Sequence, residues 1–432
     1  MIDLTRPTSL PRDAEREGGD TAQATRMSSA ERGPKKCTFS GFFVSLFVLG
    51  DGGTARKPRS GDVALHSARR GVRPDDMPPK RKRAEDEALE AAAQAARDVA
   101  LHYSNRDQQS NAQRQLSPIY HLRCLNNWVK SSLIGSYVKE RDAVLDFACG
   151  KGGDLTKYRK AKVGSYVGVD IALESVRRDA TERYNVGSFQ FPARFIAGDC
   201  FEVDLIKEGA LAQKSFDVIS CQFAVHYSWS TEQRARCAFR NVARLLRPGG
   251  HFIGTTVDSN VLVRKLRDAK GLSFGNDVVN VTFHEKHKSK LFPKEEGPFG
   301  LRYAFTLKDA VTNCDEWMVP KKAFVELASE FGLELSSWRN FHDFVGDELG
   351  ATNAEDKRSK ARDLWRQTTG GKTPELTPMS EDEWEAARLY AVFAFRMSGS
   401  AEAAARAVLQ RPPPGQPTRV DKDDVLVLKG AA

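Results

Sequence analysis

The sequence predicts an α/β fold, a mostly parallel sheet with helices on both faces, on three observations. An apolar strand within Val144-Leu-Asp-Phe-Ala-Cys-Gly-Lys-Gly-Gly-Asp154 runs into a glycine-rich turn that opens a helix. A second apolar strand, Ser165-Tyr-Val-Gly-Val-Asp170, follows and ends in an acid. Three further apolar runs, Ala193-Arg-Phe-Ile-Ala-Gly-Asp199, Ser215-Phe-Asp-Val-Ile-Ser-Cys221 and His251-Phe-Ile-Gly-Thr-Thr256, recur at the spacing of strands that alternate with helices.

Taken in chain order, Tyr120 starts a helix that continues to about Val138, with Leu125, Trp128, Val129, Leu133, Ile134 and Tyr137 as its core-facing stripe. Asn126, Asn127 and Lys130 fall near its first turns, where periodicity alone reads them as cap and solvated positions. In the next turn, glycines at 150, 152 and 153 remove side chains that would hold a ligand off the backbone, and the helix start exposes unpaired N–H groups. Asp170 then stands where an acid accepts both hydroxyls of a ribose. The combination points to adenosine. A dinucleotide fingerprint would need a third glycine where Leu155 stands.

The third strand ends in Asp199, and the fourth leads into Gln222, His226 and Tyr227 at the carboxyl end of the sheet, where open α/β folds bind ligands. Arg247-Pro-Gly-Gly250 turns the chain into the fifth strand. This succession resembles the class I S-adenosylmethionine-dependent methyltransferases. The resemblance implies a Rossmann-like, mostly parallel seven-stranded sheet with an antiparallel last strand, and S-adenosyl-L-methionine as cofactor. The Asp- or Asn-Pro-Pro-aromatic run of enzymes that methylate exocyclic amines is absent after the fourth strand.

Composition bounds the rest. The chain has 432 residues, 28% of them charged and 40% hydrophobic, so part of it is expected not to fold. Residues 1–112 read as a disordered basic region, with an alanine-rich helical run from Glu85 to Leu101. The apolar run Phe39 to Leu49 is shorter than the ~20 residues a membrane span requires, and no membrane association is expected. Translation is expected to start at Met77. Pro79-Lys-Arg-Lys-Arg83 reads as a nuclear-import signal, and the net charge of +9 calls for an anionic partner. Residues 398–432, including Arg411-Pro-Pro-Pro-Gly415, read as a disordered tail.

The seven cysteines form no C-x-x-C pair, and Cys149, Cys200 and Cys221 sit at strand ends, which suits buried, reduced thiols. His284 and His287 lack accompanying cysteines, and no metal site is expected.

Asn-Asn-Trp-Val-Lys130, Ala-Cys-Gly-Lys-Gly-Gly-Asp154, Cys-Gln-Phe-Ala-Val-His-Tyr227, Phe-Ile-Gly-Thr-Thr256 and Ser-Phe-Gly-Asn276 together resemble the eukaryotic mRNA cap guanine-N7 methyltransferases. Pro-Phe-Gly-Leu-Arg-Tyr303 and the run from Glu383 to Phe395 extend the likeness, which gives a catalytic domain over 113–397. It implies transfer of a methyl group to guanine N7 of a capped RNA 5′ end, in the nucleus, alongside RNA polymerase II or other capping machinery.

By the same resemblance, Lys130 holds the cofactor carboxylate, Ala148 to Gly150 its methionine portion, Asp170 the ribose and Asp199 the adenine edge. Gln222 and Tyr227 line the sulfonium end. Asn126 and Asn127 touch the cap, Lys151 and Lys157 on the following helix and Arg183 on the next lie along the phosphates, and His226, Glu316 and Tyr390 surround the guanine. Positioning is expected to supply the rate, with no residue acting as acid or base.

Some positions depart from the family pattern. Ala148 replaces a common glycine and fits if the backbone there needs no positive φ. Arg183 aligns only after a one-residue shift, and Asp315 rivals Glu316. The segment 350–377 reads as a variable insertion. Rival readings are a small-molecule methyltransferase and a non-catalytic RNA-binding protein. A guanylyl-transfer activity is rejected because no Lys-x-Asp-Gly motif is present.

Overall fold

In a computed structural model, residues 79–104, 111–292, 297–353, 355–356, 360, 379–409, 411 and 415–432 are described. The Met77 start, the apolar run at 39–49 and most of the 350–377 insertion lie outside them.

Among the described residues, twelve strands form two sheets. The first five are β1 (Ala143–Phe147), β2 (Ser165–Asp170), β3 (Ala193–Ala197), β4 (Phe216–Gln222) and β5 (Leu246–Val257). A hairpin region follows with β6 (Ser273–Gly275), β7 (Val279–Phe283), β8 (Arg302–Leu307) and β9 (Val311–Trp317), and the chain ends with β10 (Leu333–Asn340), β11 (Tyr390–Met397) and β12 (Leu426–Val427). The main sheet has the order β10-β11-β5-β4-β1-β2-β3-β12, and β6 to β9 form a separate antiparallel sheet. Within the main sheet, among the described residues, β11 is the reversed strand, pairing antiparallel with both β5 and β10. The seven expected strands are therefore present with the expected reversal, and β12 adds an eighth.

The parallel centre explains why the strands read as predominantly apolar runs: all seven residues of β4, Asp217, Ser220 and Gln222 among them, are buried because both faces of the sheet are covered. The helix α3 (Tyr120–Tyr137) buries Leu122, Leu125, Val129, Leu133 and Ile134, a stripe at helical spacing, while Trp128 packs edge-on against Phe344. The Pro-Gly-Gly segment does not precede β5 but lies within it. The β4–β5 register jumps from Phe216 opposite Leu246 to Val218 opposite His251 to accommodate it.

The alanine-rich run expected as helical from Glu85 to Leu101 lies within a longer helix, and parts of the stretch read as a tail carry structure. Residues 79–104 form one helix, α1 (Pro79–Ser104), which includes the import-like cluster and is followed by the short α2 (Asn111–Gln115). Ala92, Ala93, Ala96 and Ala100 are buried along one side of α1. Alanine favours helix intrinsically and permits close approach, so this stripe orders a segment whose overall composition reads as unfolded. Residues 398–432 also carry structure. A helix spans Ala401–Leu409, Arg411 bonds Asp142 and Asp217 at 2.7 and 3.0 Å, and Val420, Val425 and Leu428 are buried. Isolated apolar residues among polar ones give no periodic signal, yet each is buried.

Candidate functional site

A cavity of about 960 Å³ opens at the carboxyl ends of β1 to β4, within the range of small-molecule sites. Its walls include Ala148, Gly150, Asp170, Asp199, Gln222 and Tyr227, the expected cofactor set, and Lys130 from α3. Asn126, Asn127, Lys151 and Arg183 line the same cavity.

The glycine turn and Asp170 are locked together. Gly150 adopts φ +52°, and its N–H donates to Asp170 Oδ2 at 2.7 Å. Asp170 Oδ1 accepts from the Ala172 N–H at 2.8 Å. Burial raises the Asp170 carboxyl despite these two backbone donors. Asp199 accepts from the Phe201 N–H at 2.9 Å and from the Arg234 guanidinium at 2.7 Å. Gln222 donates to Ser220, while its Oε1 is buried with no hydrogen-bond partner among the described residues, as is Asn126 Oδ1. Two orphaned buried acceptors in a polar cavity suit a ligand bearing N–H or O–H donors.

Lys130 reaches Asp154 at 2.7 Å, and Lys157 reaches the same Oδ1 at 2.8 Å. Burial alone would raise Asp154, but the two ammonium groups hold it down at about 2. Lys157 also donates to Asn127 Oδ1 at 3.2 Å and is 9% exposed. It therefore lies behind the cavity wall, where a charge must be paired, rather than open to phosphates. Lys151 precedes the helix α4 (Leu155–Lys160) instead of lying on it, and its Nζ sits 2.9 Å from Asp179. Arg183, on α5 (Thr181–Val186), has a buried Nε with no hydrogen-bond partner among the described residues.

Ala148 adopts φ +54°. The condition under which alanine would fit without strain is not met, and the residue sits in the left-handed region that disfavours a Cβ.

The remaining expected residues form a second cluster behind Tyr227. The Tyr227 ring lies 4.2 Å from that of His226, and His226 Nε2 lies 3.7 Å from Glu316 Oε1. Tyr303 donates to Glu316 Oε2 at 2.7 Å. Burial pushes Glu316 up to about 7 and His226 down to about 3, each shift running toward the neutral form. The rival Asp315 faces outward and pairs with Arg302 at 3.0 Å. Tyr390 is buried on the other flank, edge-on to Phe223 at 5.1 Å.

Sequence reasoning missed several residues here. Arg234, which lines the cavity and bridges Asp199 and Glu202, was signalled by a charge on the buried stripe of α6 (Glu232–Leu245), in line with Ala238 and Val242. Phe223 holds φ +57° between the cavity and Tyr390, a conformation that nothing in the sequence announces. Asp146, on the cavity wall, accepts from the Tyr166 hydroxyl at 3.1 Å and is raised to about 8, first by burial and then by Asp154. The thiols of Cys149, Cys200 and Cys221 are free and buried, each raised by that burial.

Comparison with known proteins adds an independent finding. The profile of the mRNA (guanine-N(7))-methyltransferase domain matches residues 86–398. The chain is 46% identical to mRNA cap guanine-N(7) methyltransferase 1 of Arabidopsis thaliana, over 77% of this chain and 89% of that one. It is 48% identical to the protein of the same name from Oryza sativa subsp. japonica, over 72% and 84% respectively. Against the mRNA cap guanine-N(7) methyltransferase of Schizosaccharomyces pombe the identity is 36%, over 70% and 82%.

Proposed function

As a member of the mRNA (guanine-N(7))-methyltransferase family, the chain transfers a methyl group from S-adenosyl-L-methionine to guanine N7 of the RNA cap, and we propose which of its residues do so and how. The observation that carries the proposal is the continuity from Tyr227 in the cavity wall through His226 to Glu316. It supports reading His226 and Glu316, both buried, as part of the nucleobase site beside the cofactor cavity.

The cavity fits the cofactor by its own chemistry: a turn that brings backbone close, two strand-end acids and a lysine. Lys130 meets the carboxylate, Ala148 to Gly150 the methionine chain, Asp170 the ribose hydroxyls and Asp199 the adenine edge. Gln222 and Tyr227 border the sulfonium, which supplies an electrophilic methyl group. Asn126 and Asn127 reach toward the cap, and Lys151 and Arg183 face the triphosphate bridge. Lys157 serves indirectly by holding Asn127 and Asp154 in place.

Glu316 accepts from guanine N1–H and the 2-amino group, while His226 and Tyr390 enclose the ring. N7 has an in-plane lone pair and loses no proton, so no general base is required. Holding the nucleophile in line with the methyl carbon is worth roughly 7–11 kcal/mol in favourable cases. A carboxylate beside the ring also favours the positive charge that guanine acquires on methylation.

The substrate is the capped 5′ end of RNA, and the role is in RNA processing. Nuclear residence, supported by the basic run at 79–83, and association with RNA polymerase II or other capping machinery complete the proposal. Among the described residues no helix is long and apolar enough to cross a membrane.

The decisive experiment incubates the protein with labelled S-adenosylmethionine and GpppG-capped RNA, followed by nuclease digestion. Label on guanine N7 is expected. Label on a ribose or an internal base would overturn the residue assignments, and capped RNA left unlabelled beside a methylated small molecule would favour the rival substrate class.

A further inference from the structure

Residues 411–432 lie beyond the matched domain, which ends at 398. They nevertheless reach the two loops that carry the adenosine-facing acids. β12 pairs in parallel with β3, Leu426 opposite Ile196 and Val427 opposite Ala197, and the Leu428 N–H donates to the Ala197 carbonyl at 2.8 Å. Leu428 is buried against Gly198, the residue before Asp199. A Cβ on Gly198 would come within 2.9 Å of the Leu428 Cβ, so the contact is close enough to require glycine.

The backbone of Ala432 then brackets the loop after Asp170. Its N–H donates to the Ile171 carbonyl at 2.8 Å, and its carbonyl accepts from the Leu173 N–H at 2.7 Å. This is the hydrogen-bond pattern of a parallel bridge to Ala172, which lines the cavity and donates its own N–H to Asp170. The strap is anchored further back. Asn185 and Val420 exchange side-chain and backbone bonds at 2.9 and 3.0 Å, and Arg411 is ion-paired to Asp142 and Asp217.

We propose that Arg411 and residues 415–432 form a strap that positions Asp170 and Asp199 for the adenosine half of the cofactor. Leu428 and Ala432 act as positioning residues that touch no substrate. Backbone that would otherwise fray at the ends of β2 and β3 is held by hydrogen bonds on its outer side, so less ordering remains to be done when the ligand binds. The inference rests on the assignment of Asp170 and Asp199 to the cofactor. It implies an effect on cofactor affinity and little on cap affinity, because the strap bonds neither α3 nor the Glu316 cluster among the described residues.

The test is titration calorimetry on the full chain, on a variant ending at Lys429 and on L428A, each with S-adenosylhomocysteine and separately with GpppG. Both variants are expected to raise the Kd for S-adenosylhomocysteine about tenfold, the loss of a pair of backbone hydrogen bonds or of their support, with the GpppG Kd within about twofold. Unchanged S-adenosylhomocysteine affinity in the folded variants, or an equal loss for both ligands, overturns the strap. Should either variant fail to fold, amide exchange at Leu173 in the intact protein decides instead. Slow exchange that slows further with S-adenosylhomocysteine supports the strap, and exchange at loop rates overturns it. D170A separates the two layers. If it leaves S-adenosylhomocysteine binding intact, the underlying site assignment is wrong; if it abolishes binding while the strap variants do not weaken it, only the strap falls.

Discussion

Tyr303 and Glu316 face each other across the β8–β9 ladder, and the phenol hydroxyl donates to the carboxyl Oε2 at 2.7 Å inside a site closed to solvent. One carboxyl oxygen is thereby fixed by the protein while the other faces His226. In the proposed guanine site, Glu316 is thus a preset acceptor whose ionisation would govern substrate recognition.

Burial raises Glu316 to about 7, so it is protonated below that pH and cannot accept from both guanine donors. The kcat/KM for capped RNA is expected to fall as pH drops below about 7, and a profile flat from about pH 6 to 8.5 would exclude the role. Because the Tyr303 bond lowers the Glu316 value, Y303F should move the midpoint to higher pH. E316Q should weaken cap binding on the order of 100-fold with cofactor affinity kept. The same raised value means that the folded state holds this proton more tightly than the unfolded chain. The contribution of Glu316 to stability therefore declines as pH rises from its ordinary 4.5 toward 7, and E316Q should remove that slope from urea unfolding curves.

His226 is held down at about 3 by burial, leaving its imidazole neutral throughout the working range. With capped RNA and cofactor both saturating, kcat should show no ionisation of an essential base between about pH 6 and 8.5. H226A should lower kcat through lost positioning. An ionisation near neutrality in the saturated complex that vanishes in H226A would contradict this.

Ala148 carries a Cβ at φ +54°, where the left-handed conformation costs about 1 kcal/mol or more. A148G should gain up to about 1 kcal/mol in urea unfolding, the relief exceeding the extra freedom of glycine in the unfolded chain. Loss of stability in A148G would show that the methyl group packs better than the geometry suggests.

Asp154 stands between Lys130 and Lys157 at 2.7 and 2.8 Å. D154A leaves two poorly hydrated ammonium groups together, and a loss of about 3–5 kcal/mol is expected in denaturant unfolding, with cofactor binding weakened as Lys130 loses its anchor. In the parent protein this stabilisation is present above the ordinary carboxylate value of 3.8 and disappears as pH falls through about 2. A change within about 0.5 kcal/mol in D154A would mean that solvent pairs the lysines instead.

The parts of the molecule that were legible in advance follow from local chemistry. Strands β1 to β4 announced themselves because burial on both faces leaves predominantly apolar runs, and the proposed cofactor turn did so because glycine is needed where backbone comes close to a ligand. What was not legible depends on partners far along the chain. Lys157 looks like any helix-surface lysine until Asn127, thirty residues earlier, accepts from it. Arg411 sits in a proline-rich stretch whose composition suggests a linker, and its function is set by Asp142 and Asp217, 269 and 194 residues away. The left-handed backbone of Phe223 leaves no trace in residue type, and that of Ala148 is hinted at only by the glycine common at its place in the family.

The two residues of β12 have a colloidal consequence. By docking on β3 they occupy N–H and C=O groups at the flank of the main sheet, groups that would otherwise template pairing with a second molecule. A recombinant fragment trimmed to the catalytic domain would bare that flank together with the apolar seats of Val420, Val425 and Leu428, and would tend to self-associate as its concentration rises.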